Sequence, residues 1–147
     1  MEKIRLGIIG IGNMGSEHCR LILSGQTPEI ALTCVADPRQ DRRDWAQQTL
    51  PAGTGIYADG MSLIRAHACD AVLIATPHYQ HPTLAIEAFR HGKHVLCEKP
   101  AGVYTLQVRD MIAEADKHPE LTFGMMFNQR TNCVYRKAKE LIDSGAL

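Results

Sequence analysis

The chain is poor in several things that would narrow its chemistry at once. It has no excess of charge, because 16 Lys and Arg balance 16 Asp and Glu over 147 residues. No Lys/Arg run tracks a phosphate backbone, so nucleic acid is not an expected partner. No apolar run approaches the roughly 18 residues of a membrane span, and Met1-Glu2-Lys3 leads into a strand pattern without a signal-peptide profile, so a cytoplasmic location is expected. Aromatics are scarce, with one Trp. Cys19, Cys34, Cys69, Cys97 and Cys133 are odd in number and contain no C-x-x-C pair. They read as reduced, buried thiols rather than disulfides or zinc ligands. What remains is one domain's length of chain, enough to bury roughly 70% of its unfolded surface.

The informative stretch is Ile4 to Gly15, in which an apolar strand runs into Gly10-x-Gly12-x-x-Gly15 and then into a helical pattern. Each glycine has a separate task. Gly10 permits the tight turn, Gly12 lets the backbone approach a pyrophosphate, and Gly15 lets the helix pack closely on the sheet. The helix N-terminus then presents free N–H groups and its positive dipole end to phosphate. Gly10, Ile11, Gly12, Asn13, Met14 and Gly15 are therefore the expected dinucleotide loop. The following helix is assigned an apolar stripe of Met14, His18, Leu21 and Ile22, with Gly25 as its stop.

Strand-like runs recur at 4–9, 30–36, 55–57, 71–75, 94–97 and 121–127. Helical patterns lie between most of them. One is a polar helix over 39–50 with Trp45 and Leu50 buried. Another carries Pro82, Ala85, Ile86 and Phe89 and stops at Gly92. A third carries Val108, Met111, Ile112 and Ala115, and the last carries Val134, Ala138, Leu141 and Ile142 ahead of Gly145. This alternation predicts right-handed βαβ crossovers and an α/β, Rossmann-type, doubly wound parallel sheet. The unusual residues fall at the carboxyl ends of strands: Gly10, Asp37, Thr76-Pro77 and Glu98-Lys99-Pro100. That edge is where open parallel sheets bind ligands.

Asp37 stands 22 positions after Gly15, near the separation at which a carboxylate accepts the ribose 2′-hydroxyl of NAD and repels the phosphate of NADP. An Asp-Pro turn ending the strand is the plain alternative. Arg39, Arg42 and Arg43 keep NADP open, since an arginine here accommodates a 2′-phosphate, but NAD is the expected cofactor. His78-x-x-His81 has metal-ligand spacing, yet no third ligand accompanies it, so no metal site is assigned. His18 and His94 read as structural, and His91 and His118 as cations near helix C-termini. Lys99 is the candidate for chemistry, donating to a substrate oxygen as charge develops there. A surface lysine after a strand is the plain alternative.

Glu98-Lys99-Pro100, preceded by Ala75-Thr76-Pro77-His78-x-x-His81 and by the glycine loop, resembles the N-terminal half of the glucose-fructose oxidoreductase / inositol 2-dehydrogenase / rhizopine-catabolism (Gfo/Idh/MocA) family across essentially the whole chain. The resemblance implies that Lys99 reaches both a substrate hydroxyl and the nicotinamide region, making it catalytic as well as cofactor-binding. It implies that Glu98 and Pro100 shape the turn, often through a cis peptide, and that Thr76, Pro77 and His81 contact the cofactor. Asn128 and Arg130 resemble the segment leading to a second domain. His78 departs from the family's usual Asn, which leaves its role open.

Family members resemble a dinucleotide domain followed by a second α/β domain that supplies an acid-base histidine, and none of the seven histidines here matches it. The expectation is a dinucleotide domain over 1–124 and, over 125–147, a linker and first helix of a second domain essentially absent from the chain. The expected function is the NAD(P)-binding half of an oxidoreductase moving a hydride between nicotinamide and a sugar, polyol or related secondary alcohol. A small-molecule substrate would then bind only with the missing domain. A self-contained nucleotide-binding or redox-sensing module is the alternative. Met125, Met126 and Phe127 are expected to lie exposed and to promote weak self-association into a homo-oligomer.

Overall fold

The computed structural model describes residues 3–146; residues 1, 2 and 147, on which the readings of the chain's start and finish fall, lie outside the described residues. Six strands form one sheet: β1 (Ile4–Ile9), β2 (Ile30–Ala36), β3 (Gly55–Tyr57), β4 (Ala71–Ile74), β5 (His94–Cys97) and β6 (Phe123–Met125). All pairings are parallel, in the order β3-β2-β1-β4-β5-β6. This is the doubly wound Rossmann arrangement, with strand order reversing between β1 and β4.

Period-two alternation along β1 divides the core. Leu6 and Ile8 face one side, where they join Cys19 of α1 (Asn13–Leu23) and Ala46 of α2 (Gln40–Thr49), together with Val35, Leu50 and Leu73. Ile9 faces the other, with Leu63 and Ile64 of α3 (Gly60–Arg65), Ala85, Ala88 and Phe89 of α4 (His81–Arg90), and Met111 of α5 (Thr105–Ala115). α6 (Cys133–Asp143) follows β6 and buries none of its residues. Among the described residues no helix is long and apolar enough to cross a membrane.

Several local expectations are corrected. In α1 the buried residues are Gly15, Ser16 and Cys19, while Met14 and Leu21 are 48% and 41% exposed. The small residues, spaced i, i+4 from Gly15 to Cys19 and continuing to half-buried Ile22, let the helix axis approach the sheet, and this close approach selects the face. In α5 Ile112 is exposed and Glu114 takes the buried place, because Arg90 of α4 and Lys117 both pair with it, at 3.1 and 2.9 Å. α3 was not anticipated. Its signal was present, since the Asp59 side chain caps it by accepting from Ser62 N at 2.8 Å. In α6 Val134 and Ile142 lie exposed rather than on a buried stripe. Four cysteines are buried as expected, but Cys133 is exposed.

Candidate functional site

The strand ends assemble the site. Gly10 leaves β1 with φ +87°, and its N–H donates to Ala36 O at 2.8 Å, so the loop is tied to the end of β2. A Cβ on Gly10 would lie 2.8 Å from Ala75 O, and one on Gly15 would overlap the Gly10 carbonyl oxygen. Turn and helix therefore close on each other with no room for a side chain at either glycine. A Cβ on Gly12 meets nothing within 4 Å. The open member of the trio is the one whose backbone must approach a pyrophosphate. Gly12 is also the N-cap of α1 and provides no side-chain cap, which leaves the first amides of the helix turned to the crevice.

Asp37 is buried at the end of β2. Its Oδ2 accepts Ile11 N–H at 2.9 Å and its Oδ1 accepts Arg39 N–H at 3.0 Å. Each carboxylate oxygen retains a further lone pair for a ribose hydroxyl. Of the three arginines, Arg39 pairs with Asp41, and Arg43 donates to the carbonyls of Asp37 and Pro38 at 2.7 and 2.8 Å. Arg42 lies 3.9 Å from Asp41. Beside Asp37, a cleft of about 340 Å³ is lined by Gly10, Pro38, Asp59, Thr76, Tyr79 and Thr83, among others. The Thr76 hydroxyl oxygen is buried and has no hydrogen-bond partner. Gly10, Gly12, the uncapped helix start, Asp37 and this unsatisfied hydroxyl fit a dinucleotide laid across the β1–β4 switch point.

The chemistry-bearing turn follows β5. Glu98 is buried. Its Oε1 lies 2.9 Å from Nε2 of His18 on α1, and its Oε2 accepts Lys99 N–H at 3.2 Å. The Lys99–Pro100 peptide is cis. Lys99 itself is exposed and borders a second cleft of about 380 Å³, shared with Met126, Phe127, Asn128, Gln129 and Arg130. Lys99, Asn128 and Arg130 are thus brought together by the ends of β5 and β6. The neighbouring thiol of Cys97 is pushed up to about 12 by burial and is not a competing nucleophile.

His81 sits differently from the contact role that the family resemblance implies. It is fully buried, and its two ring nitrogens lie 2.8 Å from Pro100 O and 2.8 Å from Thr76 O. Its polar atoms face backbone carbonyls and leave no lone pair turned toward a metal shared with His78. Sequence reading placed His18 as structural but gave no sign of its Glu98 partner, since the two are 80 residues apart. Tyr79 and Asp59, which wall the cleft, were also not anticipated as site residues. Only Asp59, at a helix start, was readable.

Residues 4–125 match the family model described as an oxidoreductase family with an NAD-binding Rossmann fold, Gfo/Idh/MocA. The chain belongs to this family. The inositol 2-dehydrogenase of Rubrobacter xylanophilus is 33% identical over 147 residues, and the myo-inositol 2-dehydrogenase of Thermotoga maritima is 31% identical over 144. These matches cover 99% and 98% of this chain but 41% and 42% of the relatives. A solved scyllo-inositol dehydrogenase from Lactobacillus casei, with bound NAD(H) and scyllo-inositol, superposes with a TM-score of 0.91 at 28% identity, covering 99% of this chain and 42% of that one. The chain is an NAD-binding Rossmann domain of the Gfo/Idh/MocA type, and it spans about two-fifths of the length of these relatives.

Proposed function

We propose that this chain is the cofactor half of an enzyme that moves a hydride between nicotinamide and a ring or chain carbon of a polyol or sugar. The observation that carries the reading is the placement of Lys99. It is the exposed cation on the turn after β5, bordering a cleft next to the edge where Gly12 and Asp37 receive a dinucleotide. NAD, when bound, supplies the hydride acceptor. The glycine loop and the start of α1 hold the pyrophosphate, Asp37 orients the adenosine ribose, and Thr76 and Pro77 border the cofactor's path. The Lys99 ammonium donates to the substrate oxygen and stabilises the charge that develops on it as the hydride leaves or arrives. Glu98 fixes the Lys99 backbone and His18 fixes Glu98, so the ammonium is presented from a rigid turn.

Residues 1–124 would form the dinucleotide domain, and 125–147 the segment leading toward a substrate domain that completes the acid-base machinery. The inositol dehydrogenases among the relatives support the polyol class. The test is titration of NADH into the protein, then an assay for NADH formation from NAD and myo-inositol. Saturable NADH binding without turnover is expected. Absence of binding overturns the reading of the site, and turnover by this chain alone overturns the need for a second domain.

A further inference from the structure

Gly7 of β1 has no side chain on the face that α3 covers, and sulfur fills the space. A Cβ built there would lie 3.0 Å from Cys34 Sγ and 3.1 Å from Cys69 Sγ, with Leu63 Cδ2 at 2.9 Å. Cys34 stands on β2 and Cys69 in the turn between α3 and β4, so the two thiols reach over β1 from either side. Both are fully buried, and they are hydrogen-bonded to each other. Beside them sits Lys93, which precedes β5 and is only 6% exposed. Its Nζ donates to Cys69 O at 2.7 Å, which uses one of the three donors of an ammonium. A buried cation calls for a counter-charge. Asp70 is near but is tied to Arg5, which leaves the thiol pair as the acidic group inside the core. None of these residues takes part in the cofactor site.

We propose that Cys34 and Cys69 are a redox modification site, joined into a reversible internal disulfide by hydrogen peroxide with the Lys93 ammonium assisting. The Cys69 thiolate attacks one peroxide oxygen. The O–O bond breaks, Cys69 becomes a sulfenic acid, and hydroxide leaves to take up the proton that Cys69 gave up. The Cys34 sulfur then attacks the Cys69 sulfur, the S–O bond breaks, and a second water departs with the Cys34 proton. Two thiols have lost two electrons and two protons, and the peroxide has been reduced to two waters. The hydrogen bond from Cys34, with the Lys93 ammonium after it, draws the Cys69 thiol below its ordinary range, while Asp70 opposes the shift. The same bond, together with burial, pushes the Cys34 thiol up. Cys69 is therefore the sulfur that meets the oxidant, and Cys34 the one that resolves it. The link closes residues 34–69 into a loop and staples β2 to the entrance of β4 across β1. It is independent of the reading of Lys99 and the cofactor.

The test treats the native Cys133→Ser chain with hydrogen peroxide, since the exposed Cys133 thiol would otherwise join two molecules. Peptide mass spectrometry is expected to find the Cys34 and Cys69 peptides joined with the loss of two hydrogens. Dithiothreitol should separate them again. The linked protein should melt several degrees higher, because closing a loop of this length restricts the unfolded chain. Lys93→Met should slow the linkage by up to about tenfold, as the thiolate fraction of Cys69 falls. No reaction at either thiol overturns the proposal, as does sulfinic acid on either cysteine without a link. A link that forms only after urea has unfolded the chain overturns it too. An unchanged rate in Lys93→Met overturns the part given to the ammonium. Should Lys93→Met fail to fold, Lys93→Gln gives the same readout, and linkage in the Cys133→Ser chain decides the pairing by itself.

Discussion

The carboxylate of Asp37 accepts the backbone N–H of Ile11 at 2.9 Å, joining the end of β2 to the middle of the glycine loop. The residue expected to choose the cofactor also holds the loop that binds it. Asp37→Ala should therefore act twice. It leaves two backbone amides without an acceptor, at a cost of about 1–3 kcal/mol for a buried group, and it should weaken NADH binding. Asp37→Asn, which keeps one acceptor oxygen, should recover part of the stability. Paired thermal melts and NADH titrations separate the two effects. Unchanged stability in Asp37→Ala would show that the Ile11 bond is dispensable.

The glycine loop yields a second, sharper contrast. Gly15→Ala pushes a methyl into the Gly10 carbonyl and should destabilise the domain by at least about 1–3 kcal/mol, the usual cost of overpacking. Gly12→Ala meets nothing in the protein, so its melting temperature should stay close to wild type while NADH affinity drops. A Gly12→Ala chain that binds NADH normally would remove the glycine from the phosphate site.

Thiol reactivity should follow burial. Cys133 is exposed, whereas Cys19, Cys34, Cys69 and Cys97 are buried, and burial pushes the Cys19 thiol up to about 12. Brief alkylation of the native protein is expected to mark Cys133 alone, with the other four reacting after unfolding. Mass spectrometry of the labelled peptides reads this directly. Rapid native labelling of Cys19 would contradict the packing of α1 on the sheet.

Acid should reveal the α4–α5 contact. The Arg90 guanidinium, followed by the Lys117 ammonium, holds the Glu114 carboxyl at about 2 against an ordinary 4.5. Because the folded value is depressed, the stabilisation is complete above 4.5 and is lost as pH falls toward 2. Urea midpoints measured down this range should decline in the wild type. The portion due to Glu114 should be missing in Glu114→Gln, leaving a shallower slope. Identical slopes would show that the pairing is screened out.

Much of this was legible along the chain because its signals are local. The glycine spacing, the Pro82 and Gly92 boundaries of α4, and the placement of Asp37 and Lys99 at strand ends each lie within a few residues. They locate the sheet and its binding edge. The face of α1 was not legible, since close packing through Gly15 and Cys19 outranked the larger Met14 and Leu21. Nor was the His18–Glu98 bond or the bridging of two turns by His81, because each joins groups distant in sequence whose approach only the closed sheet creates. The burial of Glu114 in place of Ile112 was not legible either, because it depends on Arg90 of the neighbouring helix.

The order of strands has a consequence for how the chain comes together. β1 lies between β2 and β4, and its pairing with β4 joins Leu6 to Ala71 and Ile9 to Ile74. A ribosome that has made β1, β2 and β3 has produced a half-sheet whose central strand still shows one row of unpaired amides and carbonyls. That edge closes only when Ala71–Ile74 emerges, after the connection through α3 has carried the chain across the sheet to the open side of β1. The cleft at the β1–β4 boundary is therefore absent from any shorter nascent chain, and cofactor capture during synthesis must wait for the fourth strand.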